Sequence, residues 1–157
     1  TLVDLPGTYA LSAHSPDEMV AVDVLLGHVA DVGRPRAVLA VVDATNLRRN
    51  LFLVTQLAEL GLPLVVALNL SDAATARGIR IDAARLGARL NAQVVPVSAA
   101  RGTGLAELRA ALAAALHAPP PAPLAVLPEA AAAARALWAR VAEQGSHLRP
   151  YEVERAL

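Results

Sequence analysis

The chain has 157 residues, and its 14 basic side chains, all arginine, balance 14 acidic ones, which leaves no net charge and no basic footprint for nucleic acid. The absence of cysteine excludes disulfides, thiol chemistry and thiolate metal sites. The longest apolar runs, Leu62 to Leu68 and Ala37 to Val42, fall far short of the roughly 20 residues a membrane helix needs.

Length predicts one domain with an appendage. Aromatics make up only 3% of the residues, so the core must come from alanine and branched aliphatics. Thr1 to Ala10 lack the basic and apolar regions of a signal peptide, and none is expected. Thr1-Leu2-Val3 reads as a strand remnant that delivers Asp4 at its end. Ser15-Pro16-Asp17-Glu18 is a helix start, with Ser15 as N-cap, Pro16 at the first helical position and Glu18 closing a capping box. Met19, Val22, Leu25 and Leu26 then mark the buried side of a helix that stops near Gly27. Residues 37–42 form an apolar run ending in Asp43, the pattern of a strand buried on both faces.

Asn46 is placed to cap a helix carrying Leu47, Leu51, Val54 and Leu57, with Gly61 just beyond it. Residues 63–68 give the next buried strand, with Asn69 at its tip. Asp82 caps a short helix reaching Asn91, and Gln93 to Val97 form the last strand. Gly102-Thr103-Gly104 leads into a helix with Leu105, Leu108 and Leu112 on one side. Alternating strands and helices predict an α/β fold: a three-layer, mostly parallel sheet covered by helices.

The organisation changes at residue 118. Pro119, Pro120, Pro121 and Pro123 impose an extended spacer over 118–127 that neither a helix nor a central strand accepts. Beyond Pro128 an alanine-rich helix is expected to reach Gln144, with Leu137, Trp138 and Val141 as its apolar side. Residues 128–157 are too few for a core of their own and read as the start of a helical domain.

Three motifs carry chemistry, each at the end of a predicted strand: Asp4-Leu5-Pro6-Gly7, Asn69-Leu70-Ser71-Asp72 and Ser98-Ala99. A carboxylate at the position of Asp4 can hold a water on Mg²⁺, and the Gly7 amide can approach a γ-phosphate because no side chain intervenes. Asn69 and Asp72 can reach one planar base, the carboxylate accepting from the N1–H and 2-amino groups of guanine. Adenine offers no such donor pair, so a site built this way rejects it by about 10⁴-fold. Ser98-Ala99 supplies a backbone N–H for the guanine O6 and, through the small Ala99, room for the base. Read singly, each motif is equally a turn or a helix cap; their order, spacing and strand context favour GTP or GDP with Mg²⁺. With no lysine anywhere, the G-x-x-x-x-G-K-[ST] phosphate loop is not in these residues.

The stretches Val3 to Ser12 with Ser15 to Glu18, Val41 to Leu51, Glu59 to Asn69 and Gly78 to Asp82 resemble the G domain of the bacterial ferrous iron transport protein B family. The resemblance covers most of residues 1–117. It implies a P-loop GTPase-type sheet without its phosphate-loop strand, truncated at both ends. It also implies a parent Fe²⁺ transporter on the bacterial inner membrane, with this segment on the cytoplasmic face and small iron-transport accessory proteins as partners. Two features depart from common GTPase patterns: Leu70 stands where many place lysine, and no glutamine follows Gly7 to position water.

Other residues have plainer readings. Asp43 turns the chain toward Asn46, His14 and His28 face solvent, Arg48-Arg49 is a solvated helix face, and Trp138 packs the tail. Two alternatives remain open at this level: a ribosome-associated GTPase, and an interaction module derived from a G domain that binds no nucleotide. Without the strand expected between those ending in Asp4 and Asp43, the sheet should carry exposed ladder edges and be prone to aggregate.

Overall fold

The computed structural model describes residues 1–11, 16–122, 124, 136, 137 and 139. Its frame is three parallel strands in the order β1-β2-β3, namely β1 Val38–Asp43, β2 Leu64–Asn69 and β3 Gln93–Pro96. The register runs from Val38 against Leu64 to Asp43 against Asn69, and from Val65 against Gln93 to Leu68 against Pro96. Parallel neighbours need crossovers. Helix α2 (Leu47–Glu59) joins β1 to β2, and α3 (Ser71–Ala76) with α4 (Ala83–Leu90) joins β2 to β3; α1 (Pro16–Leu26) precedes the sheet and α5 (Leu105–His117) follows it.

Leu64 to Leu68 of the central strand are all buried, and their alternation feeds two cores. Leu64, Val66 and Leu68 meet Val54 and Leu57 of α2, Leu25 and Leu26 of α1 and Leu90 of α4. On the opposite face Val65 meets Ala111 and Ala115 of α5. The expected three-layer α/β/α arrangement is therefore present. The first face holds far more buried aliphatic side chains, each contributing about 1.5–3 kcal/mol, and carries most of the stability.

Several local expectations are corrected. Thr1-Leu2-Val3 forms no strand: residues 1–8 have no regular structure, Leu2 is 88% exposed, and no described strand lies beside them to complete a ladder. Strand β1 is not buried on both faces. Val41 is 63% exposed, because β1 ends the sheet and α5 packs over β2 and β3 instead. Helix α1 starts at Pro16 and ends at Gly27 with φ +77, as its signals indicate, but its buried residues are Ala21, Val24, Leu25 and Leu26, and Met19 is exposed. A helix that is apolar nearly all round gives no phase from which to pick its inner face.

Asn46 stands at the N-cap of α2, yet its side chain makes no capping bond. Asp43 does the capping earlier: its Oδ1 accepts from the N–H and the hydroxyl of Thr45, both at 2.7 Å, and opens a 3-10 turn over Ala44–Asn46. Asp82 caps α4 by accepting from the Arg85 N–H at 2.9 Å. The proline-rich segment is extended at Ala118 (φ −72, ψ 145) and lies back on the body. Asn91 Nδ2 donates to the Ala122 carbonyl at 3.4 Å and the Leu124 N–H to the Ala58 carbonyl at 3.1 Å. Ser15, His14, Trp138 and the expected tail helix lie outside the described residues.

Candidate functional site

Because β2 and β3 end side by side, the loops that follow them meet above the same edge of the sheet. Asn69 closes β2, and Leu70 turns the chain in the left-handed region (φ 60, ψ 28), a conformation that costs a non-glycine residue about 1–2 kcal/mol. The turn opens α3 with Ser71 and puts Asp72 in its first turn. Both the N–H and the hydroxyl of Ser71 donate to the Val97 carbonyl, at 3.1 and 2.8 Å. The Ala99 N–H donates to Asn69 Oδ1 at 3.1 Å. Three hydrogen bonds thus fasten the two loops together.

The second loop is itself rigid. The Ser98 N–H donates to the Thr103 carbonyl at 3.0 Å, and the Thr103 N–H returns to the Ser98 carbonyl at 3.2 Å. Gly104 closes the loop at φ +77, where a Cβ would run into the Pro96 carbonyl oxygen and Val97. Ser98 is 1% exposed, and among the described residues its hydroxyl oxygen has no partner in hydrogen-bond geometry.

Asp72 collects the electrostatics of the site. The Ser98 hydroxyl lies beside it, close enough to hold its carboxyl below the usual carboxylate range but outside hydrogen-bond geometry. Desolvation opposes this lowering, while the Ala73 amide and the charge of Arg101 add to it. Arg101 Nε sits 2.8 Å from Asp72 Oδ2, with the arginine side chain largely exposed.

Four of the six expected residues, Asn69, Asp72, Ser98 and Ala99, therefore come together in one group. Asp4 and Gly7 lie exposed in the irregular N-terminal segment, with no hydrogen bond or ion pair to that group among the described residues. A Cβ added at Gly7 would meet nothing within 4 Å. Just downstream, α2 anchors the same segment: the Leu11 N–H donates to the buried Gln56 Oε1 at 2.6 Å, and the Arg49 guanidinium lies 4.0 Å over the Tyr9 ring. Arg49 thus does more than face solvent. His28 is half exposed, with Asp23 at 3.5 Å, and among the described residues no group of three or more His, Cys, Asp or Glu is placed to hold a metal.

Gln56, Arg101 and the backbone of Leu70 escape sequence reasoning. Gln56 leaves a trace, being a lone amide between Val54 and Leu57 on the inward stripe of α2. Arg101 and Leu70 leave none, since one finds its partner on another loop and the other adopts a conformation that leucine disfavours.

A parallel sheet with helices on both faces, carrying Asp-x-x-Gly, Asn-x-x-Asp and Ser-Ala in that order, defines a G domain of the P-loop GTPase class. The family model described as ferrous iron transport protein B matches residues 1–112. This chain belongs to the ferrous iron transport protein B family. It is 47% identical over 116 residues to the Fe(2+) transporter FeoB of Escherichia coli K12, which covers 71% of this chain and 14% of that protein. The solved FeoB G-domain of Methanococcus jannaschii shares 44% identity at a TM-score of 0.68, covering 74% of this chain and 69% of that one. The S. thermophilus NFeoB structure bound to mGMPPNP shares 41% identity at a TM-score of 0.66, covering 74% of this chain and 43% of that one. No helix among the described residues is long and apolar enough to cross a membrane.

Proposed function

We propose that this chain is the guanine-nucleotide-reading part of a GTPase domain that regulates or drives Fe²⁺ uptake by a membrane transporter, from the cytoplasmic face of the bacterial inner membrane. The observation that carries the reading is the junction of Asn69, Asp72, Ser98 and Ala99. Two loops are fastened edge to edge by hydrogen bonds, and the Asp72 carboxyl, held below its usual range, stands beside the buried Ser98 hydroxyl. In this reading Asp72 accepts from guanine N1–H and the 2-amino group. The Ala99 N–H, which donates to Asn69 Oδ1, turns to O6 as the base enters, and the two Ser71 bonds to Val97 keep the loops together. Joining the two loops in advance lowers the cost of ordering them on binding.

Asp4 would hold Mg²⁺ through a water, and the metal would neutralise charge on the phosphates. Its carboxylate is exposed and the space at Gly7 is open, both compatible with that role. The phosphate-cradling loop comes from a segment outside these residues. Because no glutamine follows Gly7, hydrolysis is slow or relies on backbone groups to place water. The chain spans 14% of the length of its curated relatives, and the pore and any small accessory partners belong to the remainder. Domain limits follow the same reading: residues 1–117 form the G domain, 118–127 the linker, and 128–157 the start of a helical domain.

The test uses the full-length protein. GTP and GDP should bind at least about 100-fold more tightly than ATP and ADP, and Asp72→Asn should weaken GDP by about tenfold or more. Equal affinity for guanine and adenine nucleotides, or an unaffected Asp72→Asn protein, would remove the base-reading role. Phosphate release measured on the same samples reports the hydrolysis rate.

A further inference from the structure

We propose that Arg101 is a built-in stand-in for the guanine base. When no nucleotide is bound it donates to Asp72, and it must be displaced before the base can be read. The inference rests on the base-reading role of Asp72 and adds a regulator of affinity to it.

The chemistry of the pair supplies the first argument. Guanine presents an N1–H beside an amino group attached to the same ring carbon, which is in effect a guanidine edge. Arginine carries the same group, and its Nε lies 2.8 Å from Asp72 Oδ2. A carboxylate poised to accept two N–H donors thus finds a donor of the same kind within its own protein.

The second argument fixes the sign of the effect. Arg101 is not needed to position the two loops, because Ser71 on Val97 and Asn69 on Ala99 already join them. Nor does Arg101 set its own loop, which Ser98 and Thr103 close through reciprocal backbone bonds. What its guanidinium adds is satisfaction of a carboxylate that has no base to read, and that satisfaction competes with the ligand.

Exposure sets the size. The arginine side chain is 71% accessible, so the pair behaves as a surface ion pair rather than a buried one. Removing it should tighten nucleotide binding by about two- to fivefold. Because the competing contact is screened by salt, the gap between variant and wild type should shrink at molar ionic strength.

Dissociation constants for fluorescently labelled GDP, measured on the full-length protein, test this with Arg101→Ala, Asp72→Asn and the double variant. The expected result is tighter binding in Arg101→Ala, weaker binding in Asp72→Asn, and no further effect of the arginine change once Asp72 is neutral. If Asp72→Asn weakens GDP while Arg101→Ala leaves it unchanged or weakens it, the stand-in is wrong and the arginine is inert or supportive. If Asp72→Asn has no effect, the base-reading role itself fails, and the stand-in falls with it.

Discussion

Leu70 and Gly104 show how single residues hold the site in place. Leu70 accepts a left-handed backbone so that Ser71 and Asp72 can begin α3 directly above the β3 loop. The strain stays because Ser71 bonds twice to Val97, which fixes the turn from outside. Gly104 has no such latitude. At φ +77, with the Pro96 carbonyl where a side chain would project, Gly104→Ala combines backbone strain with a backbone collision. It should cost at least about 2–3 kcal/mol of stability in chemical denaturation. Gly102→Ala has the same handedness problem but open space, and should cost less.

At the scale of elements, α2 is the most connected. It packs on β1 and β2, and through Gln56 it grips the segment that follows Asp4 and Gly7. Gln56→Leu leaves the buried Leu11 N–H without an acceptor, at a cost of about 1–3 kcal/mol. Hydrogen exchange should then report faster opening of residues 8–11, while the sheet amides keep their protection. The turn into α2 adds a pH dependence. The Thr45 hydroxyl and then the Thr45 N–H hold the Asp43 carboxyl below its usual 3.8. A carboxylate lowered in the folded state stabilises fully above its unfolded pKa, and that contribution fades as pH falls below about 3.8. Asp43→Ala should therefore lose about 1 kcal/mol at pH 7, and the gap to wild type should close as the pH is lowered through that range.

For the molecule as a whole, the exposed flank of β1 is the weak point. Val41 is 63% exposed and the outer edge of β1 has no described strand against it. Residues 1–157 expressed by themselves should self-associate through this flank. Val41→Lys, on an exposed position, should reduce that association in light scattering and leave the melting temperature nearly unchanged. If self-association persists undiminished in Val41→Lys, another surface is responsible.

The alternation of β1, β2 and β3 with helices, the start of α1 at Pro16, the capping by Asp82 and the buried run of β2 could all be read from the sequence. Each depends on neighbours within a few residues, where apolar period and cap chemistry act. The motifs at the strand ends were legible for the same reason, and so was their family resemblance. The tertiary structure alone decided that Thr1 to Val3 form no strand, that Met19 faces solvent, that Asp43 rather than Asn46 caps, and that Arg101 finds Asp72. Those outcomes depend on which surfaces another part of the chain covers and which donors it brings within about 3 Å, and no local pattern encodes either.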